Sequence, residues 1–227
     1  SLAYQLILSR RKSLAIVVHP DLRVIVKAPA HCRMKKIEQF VLKQFQWIQQ
    51  KLKSFERHEA KFTRLQFIAG ELHFYLGKTY PLSIMLGDLN AVTLENDAFI
   101  ITCLDDTSPK AVKKQLDAWY LLEAKRLFEP LMTACWIRFN HPELNMPAMS
   151  IRKMSSRWGS FSAKTYRVAL NSELVKSSLD CIESVIMHEF CHIKHLNHGA
   201  NFYALLEHVS PDWRACNKQL NRQLLRI

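Results

Sequence analysis

Four histidines and one glutamate occupy eleven consecutive positions, 188–198, of the stretch VIMHEFCHIKHLNHGANF at residues 185–202. His188 and His192 are four apart, so on a helix they lie one turn apart on one face. Imidazoles so placed can direct nitrogens at one ion, and Glu189 beside the first can reach a water on that ion. This is the H-E-x-x-H arrangement. Zinc suits it, since it accepts imidazole, imposes no geometry of its own and leaves a fourth position for water. His198, six residues past His192 in an Asn197-His198-Gly199 turn, supplies a third ligand, and three protein ligands plus water is the usual catalytic composition. The competing reading is a core helix with satisfied histidines. It leaves Glu189 unexplained, because a carboxylate among Val185, Ile186 and Phe190 needs a partner. His195 shares the helix face one turn further on and is expected near the rim, as a candidate for substrate contact.

The elements that must carry this motif can be read from periodicity. LAIVV (14–18) and LRVIVKA (22–28) form a hairpin joined through His19-Pro20-Asp21. CRMKKIEQFVLKQFQWIQQKLKSFER (32–57) reads as one amphipathic helix with a Lys/Gln face. Strands follow within 72–86 and 92–104, with a turn at Asn96-Asp97. A long helix starts near Pro109 after a serine cap, and Pro130 should kink or restart it. Residues 140–150 read as a loop, and 150–154 and 165–171 as strands flanking SSRWGSFSAK. The motif helix runs from about 178 to 195, with a short helix over 200–209. Segregated helices and strands predict an α+β fold.

Composition narrows the setting. The chain has 227 residues, enough for one large domain, and is 48% hydrophobic, as soluble globular proteins are. No apolar run approaches a membrane span and no signal-peptide pattern is evident. Six scattered cysteines without a C-x-x-C pair point to reduced thiols and a cytoplasmic location, and Cys191, inside the motif, reads as core rather than ligand. The formal charge of +12 is uneven: residues 1–64 hold 14 Lys/Arg against 4 Asp/Glu. That basic third suggests weak binding of a nucleic acid or nucleotide, with a merely solvated face as the equal alternative.

The histidine spacing matches H-E-x-x-H-x-x-G-x-x-H of the metzincins, but His195 replaces their glycine and no Met-turn follows. The order of motifs is instead similar to the YgjP-like zinc metallopeptidases, relatives of the SprT-like and WLM groups. SRWGSFS (156–162), VALNSELV (168–175), the motif stretch and SPDWRACNKQL (210–220) carry the resemblance, which spans nearly the whole chain. Phe161 stands where that family usually has cysteine, Gly199 where it has serine and Tyr203 where it has tryptophan; the first rules out a thiol at that position. The resemblance implies a small zincin-like fold and one domain over 1–227, with a basic portion to 107 and a catalytic portion from 108. It implies Zn2+ on His188, His192 and His198, Glu189 as general base, and a cleft beside Arg157 and Trp158 for a peptide or protein substrate. A metal-dependent nucleotide phosphohydrolase of the pyrophosphatase type, and a nucleic-acid-associated SprT-like protease, are the alternatives.

Overall fold

The computed structural model describes residues 2–11, 13–18, 22–59, 65–155 and 157–224. They form two compact units, residues 1–64 and 65–225. The architecture is α+β.

In the first unit, β1 (Gln5–Ser9), β2 (Ala15–Val18) and β3 (Val24–Pro29) make a sheet in the order β1-β3-β2. The expected hairpin is the antiparallel β2–β3 pair; its connection at 19–21 lies outside the described residues. Sequence reading missed β1, which runs parallel to β3. The single expected helix is two, α1 (Met34–Lys43) and α2 (Phe45–Glu59), separated at Gln44, whose backbone leaves the helical region. Ile37 and Val41 from α1 and Ile48 from α2 cover the inner face of the sheet at Val24, Val26 and Ala28. Lys35, Lys36 and Lys43 point outward, as the amphipathic pattern requires.

The second unit begins with a four-stranded sheet, β4 (Leu72–Tyr75), β5 (Lys78–Leu86), β6 (Ala91–Glu95) and β7 (Ala98–Cys103), ordered β4-β5-β7-β6. Leu76-Gly77 and Asn96-Asp97 have positive φ at both positions, the geometry of a tight two-residue hairpin turn. Tyr75, Leu82, Phe99 and Ile101 from this sheet enter the same core as the helices of the motif half. These strands, placed by the sequence in an N-terminal portion ending at 107, therefore share a core with the motif half.

Helix α3 (Pro109–Phe139) starts at Ser108, whose hydroxyl accepts from Ala111 N–H, with Pro109 in the first turn. It continues through Pro130 rather than restarting. Pro130 is exposed while Phe128 and Met132 are buried, and the solvent side of a long helix is where hydrogen bonds already lengthen, so the lost N–H costs least there. A third sheet, β8 (Ala148–Arg152), β9 (Gly159–Ser162) and β10 (Arg167–Asn171), is ordered β8-β10-β9. A 3-10 turn (Ser172–Lys176) leads to α4 (Leu179–Lys194), followed by α5 (Ala200–Val209) and α6 (Trp213–Leu224). Helix α4 carries the motif and is buried on nearly all sides, against α3, β9, β10, α5 and α6. No helix among the described residues is long and apolar enough to cross a membrane.

Candidate metal centre and active-site cleft

Burial decides how α4 presents its side chains. Ile182, Ile186 and Phe190 are fully buried, and Phe190 sits edge-on to Trp136 of α3 at 5.1 Å. With that side locked, His188 and His192 emerge together on the opposite flank, their rings 5.0 Å apart. The helix ends at His195, and the chain turns so that His198 returns over both, 5.1 Å from His188 and 4.6 Å from His192. Ligand atoms of all three lie within 4.8 Å of one another.

Details of this cluster fit a cation. His188 Nε2 and His198 Nε2 are 3.1 Å apart. A tetrahedral zinc with ligands at 2.0–2.1 Å would hold neighbouring nitrogens about 3.3 Å apart. His192 Nδ1 lies 3.1 Å from the carbonyl oxygen of His195. A carbonyl only accepts, so this bond fixes the proton on Nδ1 and leaves Nε2 free as a ligand. Burial, with His192 and His198 close by, pulls His188 down to about 4, and burial also lowers His192. Both shifts favour the neutral imidazole in His188 and His192, the form that binds metal. Phe202 of α5, fully buried, touches all three rings at 4.6–5.0 Å and acts as their platform.

Glu189 is 4% exposed. Burial pushes its carboxyl up to about 7, although the Phe161 N–H and Arg157 both favour the charged form. Its Oε2 has no hydrogen-bond partner among the described residues. A buried carboxylate oxygen without a partner is costly unless something outside the chain completes it. Strand β9 lies against this side chain: a Cβ on Gly159 would meet Glu189 Oε1 at 2.7 Å. Only glycine allows that approach.

The segment before β9 is held by Asn171, fully buried at the end of β10. Its amide donates to the carbonyls of Met154 and Arg157 at 2.9 and 3.0 Å and accepts from Met154 N–H at 3.1 Å. The Asn171 N–H donates to Trp158 carbonyl at 2.8 Å. Arg157 and Trp158 thus border a cleft shared with His188, Glu189 and His198. The side chain of His195 is not in the histidine cluster and lines a separate, open depression with Asn197 and Phe202; its backbone carbonyl is what serves the site. Cys191 is a buried thiol pushed up to about 12 by burial and by Glu189, as a core residue rather than a ligand would be.

Sequence reasoning missed Phe202, Gly159, Asn171 and the Phe161 N–H. Gly159 had a signal, a lone glycine directly after Trp158 in RWGS, but its meaning depends on knowing what lies opposite.

A family model described as YgjP-like, metallopeptidase domain, matches residues 12–223. The chain belongs to this family. As a YgjP-like metallopeptidase it is a hydrolase acting on peptides or proteins. It is similar to the metallopeptidase zymogen jannalysin of Methanocaldococcus jannaschii, with 24% identity and a TM-score of 0.38 over 43% of this chain and 96% of that one. The metallopeptidase zymogen abylysin of Pyrococcus abyssi gives 17% and 0.40 over 44% and 97%. No curated protein matches the chain.

Proposed function

We propose that this metallopeptidase uses zinc held by His188, His192 and His198, with Glu189 as general base. The observation that carries the reading is the convergence of three imidazoles beside a buried carboxylate whose Oε2 lacks a partner among the described residues. Bound there, zinc would polarise the scissile carbonyl and acidify a water. Glu189 Oε2 takes the proton of the attacking water and passes it to the leaving amine nitrogen. The Phe161 N–H and the Gly159 backbone fix where that carboxylate sits. Arg157, exposed at the edge of the cleft, places a cation where negative charge develops on the carbonyl oxygen. Among the described residues strand β9 pairs with β10 alone, which leaves its other edge for an extended substrate. Among the described residues of the first unit no feature beyond charge favours a nucleic-acid partner, and neither alternative enzyme reading has a specific observation behind it.

The glycine gives the test. Zinc-loaded protein should cleave an unstructured polypeptide, lose that activity on chelation and regain it with zinc. Gly159→Ala should keep its zinc yet lose roughly 100-fold in kcat, because displacing a base by about 1 Å costs that much. Unchanged turnover in Gly159→Ala, or activity that survives chelation, would refute the assignment.

A further inference from the structure

Two carboxylates are buried among the described residues, Glu189 and Glu173, and the reaction uses only the first. Glu173 lies in the 3-10 turn between β10 and α4 at 3% exposure. Its Oε2 accepts from Lys176 Nζ at 2.6 Å, and its Oε1 faces Lys153 Nζ at 3.2 Å. Lys153 also reaches Asp117 of α3 at 3.4 Å, and Lys176 lies over the Tyr120 ring at 4.4 Å. Burial alone would raise the Glu173 carboxyl, yet Lys176 and Lys153 hold it below its ordinary value. An ion pair at such a position is weak glue, because desolvation takes back most of the attraction. Its charges do supply direction.

We propose that Glu173 and Lys153 are positioning residues for the reaction: they fix the start of the 153–158 segment and so set how closely Gly159 of β9 confines the Glu189 carboxyl. The proposal rests on Glu189 being the base. Residues 153–158 join β8 to β9 outside both strands, so no ladder holds them. Met154 and Trp158 are buried, but apolar burial is non-directional and does not by itself stop the segment from sliding. Two directional ties locate it. At its start, Lys153 is drawn toward Glu173 and Asp117. Further along, Asn171 bonds the backbone of Met154, Arg157 and Trp158. Both ties meet in Glu173, whose own backbone N–H donates to Asn171 Oδ1 at 3.2 Å and so orients that amide. Trp158, the last residue so held, is followed directly by Gly159, where a Cβ would meet Glu189 Oε1 at 2.7 Å. A shift of the segment is therefore passed to the base, although Lys153 is not among the residues that line the cleft.

The test uses zinc-loaded, full-length protein and an unstructured polypeptide substrate. Lys153 is exposed and Glu173 keeps Lys176, so Lys153→Met should fold as the wild type does. Its kcat should fall roughly 10-fold, less than the ~100-fold of a full 1 Å displacement, with KM, zinc content and unfolding midpoint unchanged. Lys153→Arg keeps the charge and should restore most of the rate. In a Gly159→Ala background Lys153→Met should add little, because two changes that act on one placement are not additive. An unchanged kcat in Lys153→Met, the same drop in both backgrounds, or a fall matched by loss of zinc would overturn the proposal. The amide signals of Gly159 and Phe161, followed by NMR in isotope-labelled protein, read the placement without catalysis. Lys153→Met should move both and Lys153→Arg should bring them back, while Lys113→Ala, which removes an exposed ion pair to Asp117, should leave them in place. Unmoved amides in Lys153→Met overturn the proposal whatever the activity does. Moved amides together with near-normal turnover in Glu189→Gln would keep the placement and overturn Glu189 as the base instead.

Discussion

Glu189→Gln should reduce kcat roughly 10³- to 10⁴-fold, a barrier increase of about 4–5 kcal/mol, while KM, zinc content and the unfolding midpoint barely move. The size follows from what the amide cannot do: it is isosteric with the carboxylate but cannot take a proton from water or carry one to an amine. The fold should tolerate it because the side chain has one backbone partner, the Phe161 N–H, and the glutamine oxygen still accepts that bond. Removing the carboxylate also removes the penalty of burying it at 4% exposure, which offsets the orphan N–H of the new amide. Turnover within tenfold of wild type would mean that another group accepts the proton.

The second large effect is on the metal. His198→Ala should weaken zinc binding at least ~10³-fold, beyond the 10- to 100-fold typical of losing an outer hydrogen-bond partner, because a ligand itself is removed. His198 is exposed in the turn between α4 and α5, so the apoprotein should stay folded with its core unchanged. His195→Ala is the contrasting variant. Its imidazole lies outside the cluster, and the backbone carbonyl that orients His192 survives the substitution, so zinc should remain. Metal analysis after gel filtration reads both. Full zinc in His198→Ala, or its loss in His195→Ala instead, would reverse their roles.

Much of this site was legible because its signals are local. Four-residue spacing on a helix fixes the relation of His188 and His192 whatever surrounds them, and His198 follows within one turn of chain. The residues that position those side chains were not legible, because their meaning is non-local. Asn171 reads as one polar residue ending a strand; its role lies in four bonds to Met154, Arg157 and Trp158. Strand β9 hides in SSRWGSFSAK because only Trp158 and Phe161 there are large and apolar, and pairing with β10 rather than its own alternation makes it a strand. Helix α6 went unread in the sequence: it is mostly polar, and among its described residues only Cys216 and Leu220, on one face, are buried. The parallel pairs β1–β3 and β5–β7 join strands that are not sequence neighbours, a relation no turn signal announces. At Pro130 the local rule allowed a restart that does not occur, because the cost of an interior proline depends on which side of α3 faces solvent.

The most direct measurement is an anomalous difference map from crystals of the zinc-loaded protein, collected on both sides of the zinc absorption edge. The account predicts one peak, present above the edge and absent below it, about 2.0–2.1 Å from Nε2 of His188, His192 and His198, with Glu189 adjacent but not bonded to it. A peak elsewhere, a peak that lacks any of these three nitrogens, or an empty cluster in protein that carries zinc would contradict it.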